Sequence, residues 1–185
     1  MTRTFDPWVG SLYASEGLDG LKLLVLGESH YGTFESEAAD KTTEVVRSQG
    51  RGKRYRLFTI TAKMVLGRGS GGSFSDSECA AFGDRVAFAN YIQSFPTEDA
   101  KSQTRPTNQM WTNAREPFLE TLREIRPHAV LVLGLDMFKR LPALPTDVVA
   151  KGIKHPSRFS KYAVSQPVVQ KLIADARAGA GLPAR

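Results

Sequence analysis

A chain of 185 residues with a hydrophobic fraction of 41% can bury one sizeable core and is too apolar to stay disordered. Its single cysteine excludes an internal disulfide framework, a four-cysteine zinc site and an iron–sulfur cluster held by this chain alone. Lys and Arg number 25 against 19 Asp and Glu, a balance that favours polyanionic partners. No apolar run approaches the ~20 residues of a membrane span, and the stretch from Met1 to Pro7 lacks the apolar run expected of a secretory signal. A single domain over residues 1–185 is expected, cytoplasmic, monomeric and without a membrane partner.

In chain order, strands alternate with helices. Leu21–Leu26 is a short apolar run ended by Gly27, the pattern of a buried parallel strand. Ser36–Gln49 reads as a helix, with acidic residues in its first turn and Gly50 as its stop. Arg54–Leu66 is a second helix, although its β-branched Thr59-Ile60-Thr61 would also suit a strand. Gly67–Ser73 is a glycine-rich loop without the Gly-Lys-Ser/Thr ending of a nucleotide-triphosphate loop.

Arg85–Gln93 is the second strand, and Phe95–Asn108, with Pro96 and Pro106, is a long loop. Trp111–Ile125 is a helix with Phe118, Leu122 and Ile125 on one face and Pro117 near its first turns. His128–Leu133 is the third strand, Gly134 opens a short helix to Arg140, and Val148–Lys154 is the fourth strand. Ser165 and Pro167 open a last helix, and the tail from Gly179 is expected to fray. The sum is an α/β fold: a four-stranded, mainly parallel sheet with helices on both faces.

Candidate chemistry gathers where strands end. Such a sheet binds ligands at its carboxyl edge. There the chain carries Gly27-Glu28-Ser29-His30-Tyr31, Asn90 to Ser94, and His155-Pro156-Ser157-Arg158-Phe159-Ser160. A carboxylate or hydroxyl can orient water, an amide offers donors and an acceptor to a planar heterocycle, and a histidine can donate to an oxyanion that forms as a bond breaks. The three histidines are scattered, so no metal constellation competes with this reading, and no cofactor is expected. Lys151, Lys154, Arg158 and Lys161 flank the last motif and suit phosphate contact. A second cluster, Arg47, Arg51, Lys53, Arg54 and Arg56, reads equally as a solvated face.

From Leu23 to about Tyr162 the chain resembles the uracil-DNA glycosylase superfamily. Leu24-Val25-Leu26-Gly27-Glu28-Ser29-His30-Tyr31 is similar to that family's water-activating first motif, and Ala87–Ile92 to the strand carrying its base-reading asparagine. Arg105-Pro106-Thr107, and then Glu124–Gly134, look like the region before its final motif, which His155-Pro156-Ser157 matches. The resemblance implies a three-layer α/β/α sandwich and a DNA partner, single- or double-stranded. It implies hydrolysis of the N-glycosidic bond of uracil or another altered base flipped out of DNA, a step of base excision repair.

By the same resemblance, His155 stabilises the departing base, Asn90 reads its edge, and Tyr31 packs against it beside Gly27. Phe159 is the wedge that fills the stack, and Ser157 and Ser160 contact phosphates. Ser29 stands where best-known members have aspartate or asparagine, and His30 where they have proline. Glu28 resembles a glutamate found in some branches; its own alternative is to cap a following helix. Asn90 equally suits a structural amide satisfied by a loop. Ser29 keeps open a second function, a binding protein with the fold and base pocket but without efficient chemistry. A nucleoside hydrolase without a DNA partner is the third, disfavoured by the basic residues near His155.

Overall fold

The structure is a computed structural model that describes residues 3–32, 37–52, 55–97, 104–156 and 161–184, with the backbone alone at 51–52. Ser36, Lys53, Arg54, Ser157, Arg158, Phe159 and Ser160 lie outside the described residues. The chain forms β1 (Trp8–Val9), β2 (Leu23–Gly27), α1 (Lys41–Val45) running into a π-helical segment (Val46–Gly52), α2 (Arg56–Val65), α3 (Asp76–Gly83) and β3 (Ala87–Asn90). It continues with α4 (Asn108–Asn113), α5 (Arg115–Ile125), β4 (Ala129–Leu133), α6 (Leu135–Arg140), β5 (Val149–Ile153) and α7 (Tyr162–Gly179).

The strands form one sheet in the order β1-β3-β2-β4-β5. β3, β2, β4 and β5 are mutually parallel, and β1 runs antiparallel to β3. The α/β class expected from the sequence holds, but among the described residues the sheet has five strands, not four. β2 and β4 are buried at every position because both faces are covered, and this is why they read as unbroken apolar runs. On one face Leu23, Val25, Phe88, Ala129 and Leu131 meet Ala62 and Val65 of α2, Phe82 of α3, and Val169 and Leu172 of α7. On the other, Leu24, Leu26, Ala89, Val130 and Val132 meet Trp111, Phe118, Leu122 and Met137. Each large aliphatic side chain so buried contributes about 1.5–3 kcal/mol relative to exposure.

Where elements differ from expectation, the cause is specific. β1 has only two residues, too few for a pattern; Trp8 Nε1 donates to the Gly83 carbonyl at 2.9 Å and fixes it. A Cβ on Gly10 would stand 2.3 Å from the Asp84 carbonyl oxygen, so only glycine allows this close return of the chain. Gly50 does not stop its helix, which begins only at Lys41 and widens into the π segment, bringing Gly50 against the Phe58 ring. α3 is additional. Ser75 caps it, accepting from the Glu78 amide at 3.2 Å while its own amide donates to the Glu78 carboxylate at 2.7 Å.

The helix expected over Trp111–Ile125 is two helices joined at Ala114, consistent with Pro117 lacking the N–H that would continue the first. α7 starts at Tyr162 and contains Pro167. The tail after α7 turns back instead of trailing away. Arg177 donates from Nε to the Pro183 carbonyl at 2.6 Å and from Nη1 to the Leu18 carbonyl at 3.0 Å, and Leu182 packs on the core. In the glycine-rich loop, carbonyls of Ser70, Gly71 and Gly72 converge on buried Lys63 Nζ, the closest at 2.7 Å. A loop whose carbonyls face inward on a cation is not arranged to cradle a phosphate.

Candidate active site at the carboxyl edge

Because β3, β2, β4 and β5 are parallel, Asn90, Gly27, Leu133 and Ile153 all end at one edge. Asn90 is the register partner of Gly27. A Cβ on Gly27 would lie 2.2 Å from Asn90 Oδ1 and 3.4 Å from the Phe88 ring, so the amide rests directly across the backbone of β2. Asn90 is only 7% exposed. Among the described residues its side-chain amide has no hydrogen-bond partner, and its main-chain carbonyl accepts from Gln93 Nε2 at 2.8 Å. A loop that would satisfy a purely structural amide is therefore not found among those residues.

The chain leaving β2 is tied to the chain leaving β3. The Tyr91 amide donates to the Gly27 carbonyl and the Ile92 amide to the Glu28 carbonyl, each at 2.9 Å. This holds the Glu28 backbone rigidly at the edge. Its side chain is 16% exposed and its Oε2 lies 3.0 Å from Arg105 Nη2. Desolvation raises the Glu28 carboxyl above its ordinary value, as does Asp136, while Arg105 and Arg140 pull it down. Glu28 thus faces charged groups at the edge and does not cap α1, whose cap position is Asp40.

Ser29 turns away from solvent. Its hydroxyl oxygen is buried and has no hydrogen-bond partner among the described residues. His30 is 5% exposed; its Nε2 pairs with the buried Thr42 Oγ1 at 3.0 Å, and Phe5 presents a ring at right angles with 5.1 Å between centroids. Burial, reinforced by Lys41 and opposed by Glu44, lowers its pKa to about 4, so the ring is neutral near pH 7. His30 locks the first motif to α1, a role with no sign in the sequence around it. Tyr31, just beyond, is 39% exposed on the rim.

His155 lies two residues past β5, and both it and Lys154 reach solvent, whereas Pro156 is buried. Enough protein surrounds the imidazole that desolvation lowers its pKa, which favours the neutral ring. β4 separates β2 from β5, so these strand ends stand roughly 10 Å apart at ~4.8 Å per strand. Glu28, Asn90 and His155 therefore share one edge, with Asn90 against Gly27 and His155 across β4. Ser157, Arg158, Phe159 and Ser160, expected to face DNA, belong to the segment outside the described residues.

α6, which the sequence placed correctly but did not connect to the site, follows β4 and packs against β4 and β5. Its Asp136 and Arg140 act on Glu28, Arg140 lies 5.2 Å from the Trp111 ring centre, and Leu135 and Phe138 are exposed. Phe138 also covers β5: a Cβ on Gly152 would lie 2.6 Å from the Phe138 Cβ. Arg105 is the other residue missed as a site member. Its only local signal is a basic residue in a proline-bearing loop.

Elsewhere, His128 Nδ1 accepts from the Lys22 amide at 3.2 Å at the start of β4, and Cys79 is buried. Among the described residues no group of three or more His, Cys, Asp or Glu is placed to hold a metal ion, and no helix is long and apolar enough to cross a membrane. No protein-family model matches the chain, and no curated protein matches it.

Proposed function

We propose that this chain is a uracil-DNA glycosylase-like hydrolase that releases uracil or another altered base extruded from DNA, within a three-layer arrangement of that family's type. The observation that carries the reading is the buried Asn90 amide, laid across Gly27 on the edge that also bears Glu28 and His155. An amide on a nearly buried residue, seated on the backbone of β2 and without a hydrogen-bond partner among the described residues, is suited to the edge of a planar base.

In this reading the base leaves its stack and enters beside Tyr31, with Asn90 pairing its edge. The bond from the sugar C1′ to the base nitrogen breaks. The electron pair leaves with the base, and the charge that grows on its carbonyl oxygen accepts a hydrogen bond from neutral His155. Water adds to C1′, and Glu28 takes its proton. Lys154 and Arg158, with Ser157 and Ser160, hold phosphates, and Phe159 fills the gap in the stack. Ser29 is given no part in the proton transfer in this reading, because its hydroxyl is buried and has no partner among the described residues.

That inward hydroxyl also favours a second reading, a DNA- or base-binding protein with weak or no chemistry. Labelled oligonucleotides carrying uracil, hypoxanthine or a mismatch decide between them, with alkali to reveal abasic sites. Strand scission at an altered base supports the enzyme. DNA that is bound while every altered base stays attached refutes it and leaves the binding protein.

A further inference from the structure

The Glu28–Arg105 pair is unequal. The carboxylate is the sheltered partner, 16% exposed, while the Arg105 side chain is 63% exposed and reaches it from solvent across 3.0 Å. A solution anion can therefore capture the arginine without entering the cleft. A guanidinium suits that exchange, since its fork of donors binds phosphate oxygens in pairs.

Among the described residues, the other charges acting on Glu28 are Asp136 and Arg140, both from α6. They are opposite in sign, and Arg140 is steadied over the Trp111 ring. When Arg105 leaves, the largest influence lowering the carboxyl goes with it, and desolvation and Asp136 are opposed by Arg140 alone among the described residues. The carboxylate then becomes a stronger base.

Resting on the glycosylase reading, we propose that Arg105 is a phosphate-reading positioning residue. It holds the Glu28 carboxylate in the free protein and surrenders it to a DNA phosphodiester, so that water activation is coupled to a polynucleotide and is withheld from free nucleosides. Substrate choice would then be made partly at a residue that never touches the base.

The test follows the Glu28 carboxyl carbon by NMR against pH, in protein carrying labelled glutamate, with Glu28→Gln to assign the signal. The probe is an oligonucleotide bearing a tetrahydrofuran abasic analogue, whose binding is read separately by fluorescence anisotropy. In the free protein the Glu28 midpoint should rise in Arg105→Gln and stay near wild type in Arg105→Lys. Bound oligonucleotide should raise the midpoint in wild type, and by less in Arg105→Gln. Turnover of deoxyuridine relative to a uracil oligonucleotide should rise in Arg105→Gln.

An unchanged midpoint in Arg105→Gln overturns the proposal, as does bound oligonucleotide that leaves the wild-type midpoint in place. An oligonucleotide that does not bind refutes both the nucleic-acid reading and the release step. Protein that shows both midpoint shifts but frees no base refutes the glycosylase reading alone and supports Arg105 as the phosphate reader of Glu28.

Discussion

Gly27→Ala puts the site's geometry under direct strain. The added methyl would arrive 2.2 Å from Asn90 Oδ1, well inside contact distance, while the Phe88 ring at 3.4 Å can stay in place. Gly27 is not among the glycines with positive φ, so alanine meets no backbone penalty there. The obstacle is the far end of a side chain, and no hydrogen bond to the described residues holds that end. The amide should therefore swing aside and the fold should survive, at a cost of about 1 kcal/mol by denaturant unfolding, the low end for overpacking.

Recognition should suffer more. A paired amide–base contact carries about 1–3 kcal/mol of discrimination, so base release or base binding should fall by roughly 5- to 150-fold. The decisive measurement is a double-mutant cycle with Asn90→Ala. Once Asn90 is truncated the methyl has nothing to displace, so Gly27→Ala should add almost no further loss. Fully additive losses would show that Gly27 and Asn90 act separately, and would refute the reasoning that the glycine exists to seat the amide.

Three further outcomes are expected. His155→Ala should lower single-turnover base release by about 10²- to 10³-fold with DNA binding kept, the scale of one lost oxyanion donor; equal loss of binding would assign His155 to DNA contact instead. His30 has a folded pKa of about 4 against 6.5 for the free side chain, so the unfolded chain binds the proton more tightly. Its stability contribution is complete above pH 6.5 and is lost as pH falls towards 4, by about 3 kcal/mol, and His30→Gln should flatten that slope in urea unfolding. Lys154→Glu should weaken DNA binding evenly across sequences and reduce the steepness of its salt dependence by about one unit per lost phosphate contact; an unchanged slope would place Lys154 away from the backbone.

What could be read from the sequence follows from how local each cause is. β2 and β4 were readable because burial on both faces leaves only apolar residues. β1 was not, since its two residues are fixed by partners far along the chain: Trp8 by the Gly83 carbonyl at the end of α3, and Trp8 and Val9 by pairing with Phe88 and Ala87 of β3. α3 is a different case. The Ser75-x-x-Glu78 signature of its start stands in the sequence, but the helix is short and its buried face is little more than Cys79 and Phe82, so no apolar period reinforces the signal.

The site divides along the same line. Glu28, Asn90 and His155 could be nominated because each ends a strand, and parallel strands bring such ends to one edge without further information. What each side chain does there depends on partners from distant segments. Glu28 meets Arg105 from the loop before α4 and the charges of α6; His30 meets Thr42 of α1; Asn90 meets Gly27 only because the β2–β3 register sets them level. A one-residue slip in that register would carry the amide off the glycine and turn it to the opposite face. The chemistry available at this edge is thus set less by the motifs themselves than by the register and by α6. For that reason Gly27, a residue with no functional group, is as direct a probe of the site as any of the residues that bear one.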